Sequence, residues 1–285
     1  MKLNFSEWLI IESIKKLAAQ YRAMLEPIPQ DPTHHPEGNV LKHIKLVRKS
    51  INKAIAYLNE LKNKEPWKTI LQNVSISLDD REMQIIKMAT WLHDIGKVPT
   101  TTVKTDDGER HWSVPGPEGK IRSLRHEDPE YYEPEIEKLK PNVPSDLLNV
   151  YTTNKSLFDF LIQRHMDVSK GGFPKWFVAE YFDNGVIKPD LGSKIKLLLV
   201  LIYADKMGRD PFSQSSIDKN DQALIAASDK SKANAAKASK KAEFETPEAM
   251  AKSLKLKDLT PNKIAQAIRD KFKLSDDEIQ KIINL

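Results

Sequence analysis

Apolar residues recur at helical spacing along most of the chain. Segments that begin near Phe5, Asn39, Asp80 and Ser145 are apolar at positions i, i+3, i+4 and i+7, a period that predicts amphipathic helices with one buried face. The run from Leu191 to Gly208 is apolar on nearly all sides, which is typical of a helix inside a core. The pattern therefore predicts an all-α fold.

Capping signals predict where several helices begin. Asn39 can cap a helix that runs to about Lys62. Thr246-Pro247 and Thr260-Pro261 have the cap-then-proline order of a helix start. Ser275 opens a Ser-x-x-Glu capping box. Short helices are therefore expected at the C-terminal end as well.

The helix that begins near Asp80 ends in a histidine–aspartate pair, His93-Asp94. Gly96 lies where a C-terminal cap is expected, and Pro99 argues against continuation. Alone, such a pair is typical of a polar helix end. The two side chains can also converge on one ion if Asp94 lies in a frayed last turn.

The segment from Pro99 to Arg125 interrupts the helical pattern. It is polar and glycine-rich, with turn signals at Asp106-Asp107-Gly108 and at residues 115–119 that short strands could flank. We expect a long loop or a small hairpin inserted over the helix end. Long ordered loops in compact domains are often functional.

Composition is that of a globular chain. It has 285 residues, of which 40% are hydrophobic, enough for a substantial core. We predict a main domain over residues 1–215, with a helix in residues 1–26 packed on it. A Lys/Ala-rich linker or solvated helix is expected over 216–245, and a small C-terminal helical extension over 246–285.

The absence of cysteine excludes disulfides, thiolate zinc sites and cysteine nucleophiles. Met1 to Trp8 lack the apolar core of a secretory signal, and the most apolar run, Ile195 to Ala204, is about half a membrane span. We therefore expect a soluble, cytoplasmic protein with no membrane partner. The net charge of +5 favours anionic partners mildly. Lysines over Ser228–Lys241 predict either a solvated helix or an RNA contact.

Candidate chemistry lies in histidines and aspartates near predicted helix ends and loop edges. In chain order these candidates are His43, His93, Asp94, His126, His165 and Asp205. Alone, His43 is typical of a histidine at a core edge. Asp205 ends the most buried helix, where an unpaired carboxylate costs several kcal/mol, so Lys206, Arg209 or a metal must neutralise it. Nitrogen and oxygen ligands without sulfur suit one or two divalent ions of Mn, Fe, Co, Ni or Zn.

The order H…HD…H…H…D resembles the HD-domain phosphohydrolase superfamily, an all-α, metal-dependent fold. Blocks at His35–His43, Leu92–Lys97, Arg125–Glu127 and Ala204–Arg209 are similar to the HD domain of bacterial CCA-adding tRNA nucleotidyltransferases, over roughly residues 27–210. The chain lacks the paired carboxylates after a Gly-Ser signature that mark the nucleotidyltransferase head of those enzymes. The resemblance therefore implies an HD-domain helical bundle and its hydrolytic chemistry, not tRNA end synthesis.

The resemblance also implies roles for individual residues. The first metal would be held by His43, His93, Asp94 and Asp205, and Asp94 would bridge to a second metal held by His126 and His165. Lys97 would lie beside the substrate phosphate as a catalytic residue together with Asp94. Arg125, which stands where the family usually has glycine, and Arg209 are further candidates for binding phosphate. His35 is not expected to be a ligand.

The sequence thus predicts a metal-dependent phosphohydrolase that acts on a nucleotide or an RNA end through a metal-bound hydroxide. The block at Leu92–Lys97 resembles phosphodiesterases, including those that open 2′,3′-cyclic phosphates. One alternative is a nucleotidase or dNTP phosphohydrolase. Others are an HD-fold RNA-binding or interaction module without turnover, and a scaffold whose metal site is purely structural.

Overall fold

The computed structural model describes residues 5–114, 116–167, 175–242, 246–256 and 259–284. Helices account for 66% of the structure, so the all-α prediction is confirmed. The helices are α1 (Phe5–Leu25), α2 (Val40–Leu61), α3 (Trp67–Ile70), α4 (Asp80–Leu92), α5 (Lys97–Thr100), α6 (Pro129–Leu139), α7 (Ser145–Thr153), α8 (Lys155–Arg164), α9 (Lys175–Tyr181), α10 (Gly192–Met207), α11 (Gln214–Ala242), α12 (Pro247–Leu256), α13 (Pro261–Phe272) and α14 (Asp276–Asn284). The strands are β1 (Thr101–Thr105), β2 (Gly108–His111), β3 (Lys120–Ser123), β4 (Phe182–Asp183) and β5 (Val186–Ile187).

Helices α2 and α10 form the centre of the main core. Every residue of α10 from Ile195 to Lys206 is buried, as its uninterrupted apolar sequence predicts. The two helices approach closely after the end of α10, where a Cβ on Gly208 would lie 2.6 Å from the backbone nitrogen of Val47. Only glycine fits there without displacing α2. This contact brings the start of α2 close to the end of α10.

Helix α4 begins at a capping box and ends at Leu92. Asp79 accepts a hydrogen bond from the backbone of Glu82, whose side chain accepts one from the backbone of Asp79. The prediction that Gly96 caps this helix is wrong, because His93 is the C-cap and Gly96 has a right-handed φ of −65°. Glycine is required for another reason, since a Cβ at this position would lie 2.0 Å from the carbonyl oxygen of His126.

The insertion predicted as a loop or hairpin is a three-stranded antiparallel sheet with strand order β2-β1-β3. The predicted turn at Asp106-Asp107-Gly108 joins β1 to β2, and Gly108 has the positive φ of +134° that this turn needs. Val103 in β1 is buried. One face of the sheet therefore packs on the domain, and the other is turned to solvent.

Helix α11 covers most of residues 216–245, where the sequence predicts a linker or a solvated helix, but its first half is packed in the main core. Ile217, Leu224 and Ala227 are buried in the main core. Asp221 accepts hydrogen bonds from the hydroxyl groups of Tyr57, at 2.6 Å, and Tyr203, at 2.5 Å. The first half of α11 therefore belongs to the main domain.

The lysine-rich second half of α11 is more exposed. Lys230 and Lys237 are exposed, whereas the side chains of Lys240 and Lys241 lie outside the described residues. This part of the helix fits the predicted solvated helix. The RNA contact considered for it stays a prediction.

Helices α12, α13 and α14 form a second, smaller core of their own. Its buried residues are Met250, Ala251, Leu254, Ile264, Ile268, Ile279, Ile282 and Ile283. The predicted helix starts at Pro247 and Pro261 are observed, and Ser275 forms the predicted capping box with Glu278. None of the described helices has both the length and the apolar character that crossing a bilayer requires.

We expect removal of residues 246–285 to leave the main core intact, because α12–α14 bury their apolar residues against one another. Ending the chain before Ser228 should instead lower the free energy of unfolding by roughly 2 kcal/mol. That cut removes the hydrogen bond from Ser228 Oγ to the Gly185 carbonyl and the one from the Gly185 amide to Ser231 Oγ. Urea unfolding of the two truncated chains measures the difference. Equal midpoints would contradict a contribution of these two hydrogen bonds to stability.

Candidate metal centre

The six predicted ligands converge on one buried point. Exposed fractions run from 0% to 4% for His43, His93, Asp94, His126, His165 and Asp205. They come from the first turn of α2, the turn after α4, the loop after β3, the end of α8 and the end of α10. Their ligand atoms fall into two groups, each within 4.8 Å: a first triad of His43, His93 and Asp205, and a second triad of Asp94, His126 and His165.

In the first triad, two imidazoles face one carboxylate oxygen. His43 Nε2 lies 2.8 Å from Asp205 Oδ1, and His93 Nε2 lies 3.9 Å from the same atom. Asp205 is thus paired by a histidine from α2. The sequence requirement that something neutralise this carboxylate is met.

In the second triad, two imidazoles face Asp94 Oδ1. His126 Nε2 lies 3.2 Å and His165 Nε2 lies 3.8 Å from that oxygen. The two Nε2 atoms are themselves only 3.3 Å apart. Three donor atoms therefore surround a space the size of an ion.

Asp94 divides its two oxygens between the triads. Its Oδ1 faces the second triad, whereas its Oδ2 lies 3.5 Å from His93 Nε2 and 3.8 Å from His43 Nε2 of the first. A carboxylate in this position can bridge two ions, one held by each triad.

Backbone carbonyls orient three of the four imidazoles. His93 Nδ1 lies 3.0 Å from the carbonyl oxygen of Thr90, His126 Nδ1 lies 2.9 Å from that of Ser123, and His165 Nδ1 lies 2.6 Å from that of Ile162. A carbonyl oxygen only accepts, so each Nδ1 must carry a proton. In the neutral rings the lone pair is then on Nε2, which points at the centre, as in metal-ligating histidines.

Burial favours the neutral form that a metal ligand requires. Burial lowers the pKa of His93. Burial, together with the nearby His93 and His126, lowers the pKa of His165 to about 3. These rings therefore bring lone pairs rather than positive charge to the centre.

These donor atoms fit a divalent ion. Within the described part of the chain, His93 Nε2 is buried without a hydrogen-bond partner, and such atoms are costly unless something satisfies them. His126 and His165 present two lone pairs to each other at 3.3 Å, a repulsive arrangement that a cation between them would make favourable. Imidazole and carboxylate donors without sulfur suit Mn, Fe, Co, Ni or Zn.

Lysine and arginine side chains balance the buried carboxylates. Lys97 Nζ lies 2.8 Å from Asp94 Oδ2 and 2.8 Å from Gln30 Oε1. Burial alone would raise the pKa of Asp94, but Lys97 and the neighbouring histidines hold it well below its usual range. Burial likewise opposes ionisation of Asp205, whose pKa is nevertheless kept low by His43, Lys206 and Arg209.

Sequence reasoning missed Glu37, the residue that orients His43. Its Oε1 lies 2.7 Å from His43 Nδ1 and 3.0 Å from His35 Nδ1, and its side chain is fully buried. Glu37 therefore faces Nδ1 of His43 in the same way that a backbone carbonyl faces Nδ1 of each of the other three rings, but it carries a full negative charge. The one available signal was its position in the block His35–His43. His35, not expected to be a ligand, lies against Glu37, and these two with His43 form a third group of candidate ligand atoms.

The three predicted phosphate-binding residues are placed differently. Lys97 lies within the centre, and Arg209 is near enough for its charge to lower the pKa of Asp205. Arg209 Nε is buried and makes no hydrogen bond to the described residues. Arg125 is 63% exposed and pairs with Asp128 at 2.6 Å and Glu130 at 2.7 Å. A role in phosphate binding stays a prediction for each.

Comparisons with protein-family models, with curated proteins and with solved structures gave no match to this chain. The geometry of the two triads is therefore the main basis for a functional assignment.

We expect Glu37→Ala to weaken divalent-metal binding by about 10–100-fold, because His43 loses the group that fixes its orientation. Glu37→Gln, which keeps an acceptor oxygen, should lose less. Competition with a chromogenic chelator for Mn²⁺ or Zn²⁺ measures the affinity. Glu135→Ala is the control, since Glu135 is equally buried, at 4% exposure, but pairs with Lys138 on α6. Equal affinities for the Glu37 and Glu135 variants would contradict the orienting role.

We expect Gly96→Ala to lower the free energy of unfolding by about 1–3 kcal/mol, because the added Cβ would overlap the carbonyl oxygen of His126. The loop that carries His126 must then move, so metal content should fall as well. Urea unfolding and elemental mass spectrometry report the two effects. Unchanged stability with full metal content would contradict the close contact.

Proposed function

We propose that this protein is a metal-dependent phosphohydrolase, most specifically a phosphodiesterase or phosphatase acting on nucleotides or on RNA ends of the 2′,3′-cyclic phosphate type. The observation that carries the proposal is the position of Asp94 between two triads, with one oxygen towards each. The resemblance of the motif order to HD-domain phosphohydrolases supports the same reading.

Two divalent ions, when bound, would polarise a phosphoryl oxygen and lower the pKa of a water molecule towards neutrality. The protein's part is to hold the ligands at fixed positions. Asp94 and Asp205 supply negative charge, and the four imidazoles supply nitrogen donors whose orientation is fixed by Glu37 and by backbone carbonyls. No part of this arrangement depends on cysteine.

Lys97 is the residue best placed to act on the phosphate. Lys97 is 7% exposed and its ammonium group lies beside Asp94, so a phosphate at the centre would be within reach of a buried positive charge. A buried cation stabilises developing negative charge more than one in water does. We propose that Lys97 offsets the charge that develops on the phosphoryl oxygens.

The proposal is tested first by metal content and turnover. Protein purified without chelator is analysed by elemental mass spectrometry, and hydrolysis of bis-p-nitrophenyl phosphate and 2′,3′-cyclic AMP is followed with Mn²⁺, Co²⁺, Ni²⁺ or Zn²⁺ added. We expect bound metal and turnover of the cyclic phosphate. Bound metal without turnover of either compound would favour the nucleotidase alternative, and the absence of both metal and turnover would favour an interaction module.

We expect Asp94→Ala and Asp94→Asn to reduce hydrolysis by about three orders of magnitude or more, because the second triad loses one of its ligands and the first loses the carboxylate oxygen that faces it. Helical content by circular dichroism should stay near that of the parent. Wholesale loss of helix in the conservative Asn variant would instead indicate a structural metal site. Unchanged turnover in a folded Asn variant would contradict the role of Asp94.

A further inference from the structure

The solvent face of the three-stranded sheet carries three neighbouring cations. In the register, Lys104 of β1 is directly opposite Lys120 of β3, and Arg122 is directly opposite Thr102. Residues directly opposite share a face, and residues two apart on one strand share it too. Val103, between them on β1, is buried on the other face. Lys104, Lys120 and Arg122, here called the cationic sheet face, are therefore turned to solvent together.

This arrangement is unfavourable for the protein alone. Like charges directly opposite on neighbouring strands destabilise a sheet, and Lys104 and Lys120 form such a pair. Glu109 faces Lys104 from β2 but accepts a hydrogen bond from Thr102. Within the described residues, no ion pair joins any cation of this face to a carboxylate. A bound anion would turn the repulsion into attraction.

A cavity of about 510 Å³ is lined by all three cations. Acidic residues line it as well, at the turns farthest from the metal centre: Asp106 and Asp107 between β1 and β2, and Glu118 before β3. The cations lie nearer the centre, with Arg122 innermost. Charge therefore changes along the strands: the acidic side chains lie at the end far from the metal ligands, and the positive side chains lie at the end near them.

The sheet is joined directly to the second triad. Ser123, the residue after Arg122, accepts through its carbonyl the hydrogen bond of His126 Nδ1 at 2.9 Å. A second cavity, of about 360 Å³, shares Gly119 and Lys120 with the first. Its opposite wall is residues 31–34, which connect Gln30 to His35. Both walls of the second cavity thus lead along the chain to residues that contact the metal ligands.

We propose that the cationic sheet face binds the backbone phosphates of a single-stranded RNA whose end reaches the metal centre. Lys120 and Arg122 are two residues apart on a strand, about 7 Å, a spacing that successive phosphates of an extended strand can match. The proposal rests on the proposed function in taking a phosphodiester as substrate. It deepens that function, because an oligonucleotide rather than a mononucleotide is then the preferred substrate.

The test is fluorescence anisotropy with a labelled single-stranded oligouridylate of about ten nucleotides, at several salt concentrations. The variant Lys104→Gln/Lys120→Gln/Arg122→Gln is compared with Lys49→Gln/Lys53→Gln/Lys68→Gln, which removes the same charge from exposed positions on α2 and α3. In the sheet variant, the slope of log affinity against log salt should fall by roughly 2, since each phosphate contact on a single strand contributes about 0.7. The control variant should keep most of the slope.

A second readout separates binding from a structural role. Removing the Lys104–Lys120 repulsion should leave thermal stability unchanged or slightly higher, whereas loss of a structural contact would lower it. Hydrolysis of bis-p-nitrophenyl phosphate should be the same in both variants, because that compound is too small to reach the sheet. The KM for an oligonucleotide ending in a 2′,3′-cyclic phosphate should rise only in the sheet variant.

The outcomes distinguish this proposal from the proposed function. Turnover of the small diester with equal RNA affinity in both variants would overturn the binding face and leave the phosphohydrolase standing. The opposite result is loss of salt-dependent RNA binding in the sheet variant alone, with no turnover of any phosphate by the parent. It would support RNA binding at the cationic sheet face and contradict the proposed phosphohydrolase activity. Equal displacement of the RNA by poly-L-glutamate at matched charge concentration would overturn the assignment to nucleic acid in favour of an acidic peptide.

Discussion

The burial of Asp94 is the constraint on which the rest of this structure depends. An ionised carboxylate with 2% exposure is costly, and the protein surrounds it with Lys97 on one oxygen and imidazoles on both. Those partners come from segments far apart in the chain. All of those segments must be folded before their side chains can offset the cost of burying the Asp94 carboxylate. The fold and the centre therefore stabilise each other.

Two glycines show how the backbone is brought close enough. Gly208 lets the end of α10 approach α2, which places Asp205 beside His43. Gly96 lets the turn after α4 touch the loop that carries His126. In both cases a side chain would collide with backbone, which cannot give way as a flexible side chain can. The distances between ligands are therefore set by backbone contacts and not by the ligands themselves.

The groups behind the ligands make the two triads unequal. His126 and His165 are oriented by neutral carbonyl oxygens, whereas His43 is oriented by the charged Glu37. A carboxylate behind an imidazole raises the basicity of the ring, so the first triad should hold its ion more strongly. The second triad is connected instead to the inserted sheet through Ser123. The second triad, which lies nearest the proposed RNA-binding face, should thus bind its ion less strongly than the first triad does.

The sequence by itself determined the main helices, several of their starts and the order of the ligands, because helical periodicity and N-terminal capping are local signals. It predicted α2 from Asn39, α10 from its apolar run, and all six residues that the structure brings together. Only the tertiary structure decided the rest. The sequence predicted a loop or small hairpin rather than a three-stranded sheet because the strands are short and polar, and α11 joins the core through Asp221, whose partners Tyr57 and Tyr203 are distant in sequence. The roles of Glu37 and Gly96 likewise depend on contacts between segments, and the physical reason is the same: periodicity records which face of an element is buried, but not what that face meets.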